Sequence, residues 1–139
     1  MFLVDTNVLS ELRRRARTHP NVAAWADGVP VLDMFVSAIT IMELQWGALM
    51  LQQRDLARGD MLLEWIDLEV LPTFEGRILP VDTKVARRCA RLHVPVRSPE
   101  RDALIAASAL IYGFAMVTRN VRDFQPMGVE VINPWDTPA

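Results

Sequence analysis

Five short apolar runs, at residues 2–4, 32–39, 78–81, 114–118 and 129–132, are separated by segments whose apolar residues recur at helical spacing. That alternation constrains the fold more than any other feature of the chain. Runs so short and so continuously apolar suit strands buried on both faces of a parallel sheet, because a strand with one wet face would alternate polar and apolar residues. The pattern predicts a parallel α/β architecture.

The helix signals are local. Asp5-Thr6-Asn7 ends the first run and opens a helix carrying Val8, Leu9, Leu12 and Ala16, which His19-Pro20 breaks; a second, over 21–26, closes at Gly28. Thr40 opens a helix with Ile41, Leu44 and Leu49 on one side. Residues 52–74, with Leu56, Leu63, Ile66 and Val70 among acids, read as one long amphipathic helix or a pair. Over 82–92, Val85, Ala86, Cys89 and Ala90 are expected inward and the arginines outward. Ser98-Pro99 carries the signature of an N-cap followed by Pro at the first helical position, and that helix runs to Tyr112 before Gly113. Residues 119–127 form a loop with at most a single turn.

A chain of 139 residues, 51% hydrophobic and 23% charged, is sized for one domain over 1–139. Its longest uncharged stretch, 103–118, is broken by Ser108, Tyr112 and Gly113 and falls short of the ~20 apolar residues that cross a bilayer. Asp5 interrupts what would be a signal core, so a cytoplasmic, non-membrane protein is expected. The one cysteine, Cys89, reads as a small core residue, with neither His19 nor His93 expected beside it. Of 15 basic residues only Lys84 is Lys, against 17 acids. Arg13, Arg14, Arg15 and Arg17 form one run, Arg87, Arg88 and Arg91 another, and Arg97, Arg101, Arg119 and Arg122 follow. Guanidinium groups suit phosphate oxygens, although such runs equally describe solvated helix faces.

Four acids stand where chemistry would sit: Asp5 after the first strand, Glu43 early in the Thr40 helix, Asp102 in the first turn of the Ser98 helix, and Asp123 after the fourth strand. Ligands of open parallel sheets gather at the carboxyl ends of the strands, where strand order reverses. Four carboxylates meeting there would raise one another's pKa unless a cation neutralised them, which implies a hard, oxygen-seeking ion such as Mg²⁺ or Mn²⁺. Each acid also has an ordinary explanation. Glu43 fits a capping box with Thr40, Asp102 a helix dipole, Asp5 an N-cap and Asp123 a turn.

Val4-Asp5-Thr6-Asn7-Val8-Leu9-Ser10-Glu11-Leu12, then Val36-Ser37-Ala38-Ile39-Thr40-Ile41-Met42-Glu43-Leu44 with Gly47, then Asp102-Ala103-Leu104-Ile105-Ala106-Ala107-Ser108-Ala109, and Val117-Thr118-Arg119-Asn120-Val121-Arg122-Asp123-Phe124 resemble, in order, the four motifs of PIN-domain ribonucleases. The chain is most similar to the VapC toxins of bacterial toxin–antitoxin pairs, in their FitB-like branch. The resemblance covers nearly the whole length. It implies a three-layer α/β/α PIN-like fold with a short central parallel sheet of four to five strands.

It further implies that Asp5, Glu43, Asp102 and Asp123 are the catalytic, metal-holding acids, with Asp123 the most variable position in such families. Thr118 matches the hydroxyl that supports the metal site, and Thr6 and Asn120 match polar neighbours. The activity implied is endoribonucleolytic hydrolysis of RNA phosphodiesters with Mg²⁺, Mn²⁺ being a substitute, and Arg13, Arg119 and Arg122 guide the RNA backbone. The partners implied are a small VapB-like antitoxin and a second copy of the chain, in an assembly able to sit on promoter DNA. Trp25, Trp46, Trp65, Met42, Met50 and Met61 supply apolar surface for such contacts. Two other readings are a receiver-like Mg²⁺-binding signalling domain, which needs a Lys after a late strand where this chain has only Lys84, and a non-catalytic α/β binding module whose acids only cap helices.

Overall fold

The computed structural model describes residues 1–136. Its strands are β1 (Phe2–Val4), β2 (Met34–Ser37), β3 (Ile78–Leu79), β4 (Ala115–Val117) and β5 (Val131–Ile132), all parallel and ordered β3-β2-β1-β4-β5. The central strand pairs Phe2 with Met34 on one side and Ala115 on the other. Chain order reverses direction between β1 and β4.

Successive residues of a strand face opposite sides, so each strand feeds two cores. Leu3 and Met116 pack with Val85, Cys89, Ile105, Ala106 and Phe124, under α6 (Thr83–Leu92), α7 (Glu100–Tyr112) and α8 (Val121–Phe124). Val4, Val36 and Val117 pack with Val8, Leu9, Val22, Leu44 and Ile66, under α1 (Thr6–Leu12), α2 (Pro20–Asp27), α3 (Ala38–Arg54) and α4 (Leu56–Trp65), whose end runs through a π-helical turn at Ile66–Val70 into the short α5 (Leu71–Thr73). The result is the three-layer α/β/α sandwich around a five-stranded parallel sheet. Small residues on α7, Ala103, Ala106, Ala107 and Ala109, let that helix lie close on the sheet, and Gly113 ends it in the left-handed conformation that favours glycine. Gly59 allows α4 to fold back on α3, since a Cβ there would stand 2.6 Å from the Gln52 amide nitrogen. No helix among the described residues is long and apolar enough to cross a membrane.

Several local expectations are corrected. α1 stops at Leu12, leaving Ala16 exposed in a 3₁₀ turn at Arg15–Arg17. α3 begins at Ala38, capped by Ser37, whose hydroxyl accepts from the Ile39 N–H at 3.0 Å. Thr40 is therefore inside the helix and fully buried, and Glu43 is not its capping-box partner. The buried stripe of α3 is Thr40, Leu44 and Ala48, a four-residue repeat that leaves Leu49 outside. Leu56, Ala86 and Ala90 are also exposed. Ser98 does not cap α7; its hydroxyl donates to the Leu92 carbonyl at 2.7 Å and its amide to His93 Nδ1 at 3.1 Å, tying the loop back to α6. His93, four residues beyond Cys89, brings Nε2 to 3.7 Å from the thiol. Burial, with a smaller contribution from Glu100, pushes the Cys89 thiol up, so the pair lacks the lowered pKa of a nucleophile.

Candidate active site at the sheet's switch point

Asp5 follows β1, and Thr118 follows β4, directly at the reversal of strand order. The two strands run parallel, and the Asp5 amide donates to the Val117 carbonyl at 2.9 Å, so their next side chains meet. Thr118 Oγ1 donates to Asp5 Oδ2 at 2.7 Å and accepts from Asn7 Nδ2 at 3.3 Å and from the Asn120 amide at 3.0 Å. Asp5 Oδ1 accepts from the Thr6 amide at 2.8 Å, which makes Asp5 the N-cap of α1 as well as a member of the cluster. Only 4% of Asp5 is exposed.

Glu43 reaches the same place from α3. Its Oε1 accepts from Thr6 Oγ1 at 2.9 Å and its Oε2 lies 3.3 Å from Arg101 Nη1. Asp102 enters from the first turn of α7 and Asp123 from α8. Burial first, then the charges of Asp5, Asp123 and Glu43, pushes the Asp102 carboxyl up to about 6, with Arg101 opposing. Asp5 is raised too, by burial and then by Glu43 and Asp123, against the hydrogen bonds from Thr118 and Thr6. The four acids therefore share one electrostatic field, which the Arg101 guanidinium opposes at Asp102. Lys84 is exposed at the start of α6, after β3 and not after a late strand, where the receiver-like reading needs its cation.

This donor set suits a divalent hard cation: carboxylate oxygens only, too much negative charge for mutual comfort, and acids held by hydroxyls and amides from behind. Among the described residues no three acidic, His or Cys side chains stand close enough together to hold an ion by themselves, and Mg²⁺ takes only one or two carboxylates directly and keeps several waters.

The arginines divide. Arg13 lies over the Trp65 ring at 5.8 Å, in a groove lined by Leu12, Val70 and Phe74. Arg119 stacks on Trp135 at 5.0 Å while its amide donates to Asn7 Oδ1. Arg122 lines a cleft of 460 Å³ with Asp123, Arg91 and Arg97. Sequence reasoning missed three residues: Asn7, which braces Asp5 and Thr118; Ser37, which sets the start of α3; and Arg101. Asn7 and Ser37 stood at strand-to-helix junctions, the signal that could have found them. Arg101 stood among the arginines suited to phosphate, but nothing in the sequence pointed to its pairing with Glu43.

The PIN domain family matches residues 2–128. The chain belongs to the PIN-domain family. The VapC ribonuclease Y4jK of Sinorhizobium fredii is 34% identical, covering 98% of this chain and 99% of that protein. Toxin FitB of Neisseria gonorrhoeae is 36% identical over 97% of this chain and 99% of its own. Two solved structures align over their length: FitAB bound to the IR36 DNA fragment, with TM-score 0.88, 33% identity, and 100% of this chain and 99% of that one covered, and a toxin-antitoxin complex from Klebsiella pneumoniae, with TM-score 0.68, 27% identity, and 99% and 100% covered. The parallel five-stranded sheet between helical layers is the PIN fold.

Thr118→Val tests the bracing of this PIN-domain cluster. Valine keeps the shape but leaves Asp5 Oδ2 without its shortest partner, which costs about 1–3 kcal/mol for a buried charged acceptor. Chemical denaturation at pH 7.5 should show that loss. It should shrink as pH is lowered, because Asp5, already raised by burial and raised further by losing a bond that favoured its charged form, takes up a proton more readily in the variant. A variant as stable as wild type throughout the pH range would deny Thr118 this role.

Proposed function

We propose that this chain is a VapC-type toxin that cuts RNA phosphodiester bonds at the Asp5, Glu43, Asp102 and Asp123 cluster. What supports the reading is that Asp5, Asp123 and Glu43 all act on Asp102 at the sheet's switch point, where burial first and their charges second push its carboxyl up to about 6, in a chain 34% identical to a VapC ribonuclease over nearly its whole length. Asp5 and Asp102 would hold Mg²⁺, or Mn²⁺ in its place, with Glu43 and Asp123 helping. A bound divalent ion supplies activation of a water at neutral pH and charge stabilisation on the phosphate oxygens. The chain supplies the rest. Thr6, Asn7 and Thr118 fix the carboxylates' orientation, Asn120 braces Thr118 through its amide, and Arg119, just after β4, and Arg122, on α8, meet the RNA backbone. A small VapB-like antitoxin, a second copy of the chain and promoter DNA complete the assembly, in line with the toxin–antitoxin and DNA-bound complexes of its structural neighbours. The cytoplasm is the compartment where such a toxin meets its RNA.

The test is metal dependence. Purified protein should degrade single-stranded RNA with Mg²⁺ or Mn²⁺, stop in excess chelator and resume when the ion is restored. Cleavage that persists in chelator would sink the metal mechanism. Absence of cleavage under any ion, together with no toxicity on induction in the host, would favour a binding module.

A further inference from the structure

Trp46 stands on α3 three residues beyond Glu43, and side chains so spaced are neighbours, about 5–6 Å apart at Cβ. Such a large aromatic is normally covered, yet 53% of Trp46 is exposed. Its position is not left to chance. The Arg101 guanidinium sits 5.1 Å above the indole centroid while pairing with Glu43 Oε2 at 3.3 Å, so one cation links the acid and the aromatic ring. Glu43, Arg101 and Asp102 also line one cleft of 390 Å³ with Pro99 and Glu100. An aromatic face thus flanks the mouth of a site that handles phosphodiesters.

We propose that Trp46 is the stacking platform for a nucleobase of the RNA, the base belonging to a nucleotide next to the phosphate held over the carboxylates. The inference rests on the ribonuclease reading above and deepens it by naming a residue that grips the substrate. Every base has a π-face, and stacking on an exposed aromatic holds single-stranded nucleic acid without regard to base identity. Arg101 lies over the indole while about half of Trp46 stays exposed to receive a base, and a guanidinium beside the ring adds a phosphate partner at the same point. Met42, Leu49 and Met50 on the same helix are exposed as well, so a protein contact is the competing role for Trp46.

The experiment compares two probes on full-length protein carrying Asp102→Asn so that RNA stays intact: a fluorescein-labelled short single-stranded RNA, and the same ribose-phosphate chain without bases. Fluorescence anisotropy in Mg²⁺ should show that adding Trp46→Ala weakens binding of the base-bearing RNA about 5- to 100-fold, as expected for loss of one stacked base, while the abasic chain binds nearly as before. Trp46→Phe should keep most of the preference for bases. Equal loss on both probes, or no loss on either, would overturn the proposal. So would light scattering that shows Trp46→Ala dissociating a dimer with the base preference intact, since Trp46 would then be a subunit contact. If the parent protein cleaves RNA with Mg²⁺ but Trp46 fails this comparison, only the platform falls; if it neither binds nor cuts RNA, the ribonuclease reading falls with it.

Discussion

Asp102→Asn should lower RNA cleavage by two to three powers of ten, on the order of 3–4 kcal/mol of transition-state stabilisation, the scale on which a catalytic ion acts. Asparagine keeps the size of the side chain and removes one negative charge from a cluster in which Asp5, Asp123 and Glu43 all press on it. The metal-free protein should therefore melt at the same temperature or higher. Asp5→Asn should be as damaging to activity, and its amide oxygen can still accept from the Thr6 N–H at the head of α1. Glu43→Gln keeps the bond from Thr6 but loses the charge that Arg101 pairs with, so a smaller loss is expected. Asp123, exposed and acting on its neighbours only through its charge, should matter least. The check is a labelled-RNA cleavage assay at limiting Mg²⁺ beside thermal melts in chelator. Wild-type rates in Asp102→Asn or Asp5→Asn would mean that these acids only cap their helices.

Cleavage at limiting Mg²⁺ should also rise steeply with pH up to about 6, the value to which Asp102 is pushed, and level off above it. The ion needs the carboxylate, so a protonated Asp102 competes with binding and the rate falls by about tenfold per pH unit below that point for one required deprotonation. Raising Mg²⁺ should move the midpoint to lower pH. Stability in chelator should run the other way. A carboxyl whose folded pKa lies above the ordinary 3.8 contributes fully below that value and loses its contribution as pH rises through about 6. Asp5 is raised in the same direction. Glu11 is lowered, by the His19 amide and by Arg14 against burial, so its contribution is present above the ordinary 4.5 and lost as pH falls through a lower value, outside this window. The difference in melting temperature between wild type and Asp102→Asn across pH 4.5 to 7.5 isolates the site. A flat difference would show that Asp102 does not titrate there. Mg²⁺ added at pH 7.5 should restore what deprotonation removes, and do so less in the variant.

The five strands, the alternation with helices and the acids at strand ends were legible in the sequence because each is written locally. An apolar run such as Phe2-Leu3-Val4 has nowhere to go but the middle of a sheet, and the polar residues after it must serve the free amides of the next helix. That logic placed Asp5, which caps α1, and failed at Thr40 and Ser98, neither of which caps the helix it was expected to open. Ser37 and Thr40 are both competent caps, and the choice between them followed from where β2 stopped pairing with β3, at Ser37 opposite Leu79.

Strand order was decided by the tertiary structure alone. Placing β4 beside β1 brings Thr118 to Asp5 across 113 residues, and seating α3 beside α1 brings Glu43 to Thr6 across 37. The same packing set Arg101 between Glu43 and Trp46, and turned Arg13 onto Trp65. Residue types and local periodicity determine which segments are strands, helices and caps. They do not encode which distant side chains share a hydrogen bond or a field, because those depend on how burial of two opposite sheet faces orders the strands, and only the folded chain fixes that geometry.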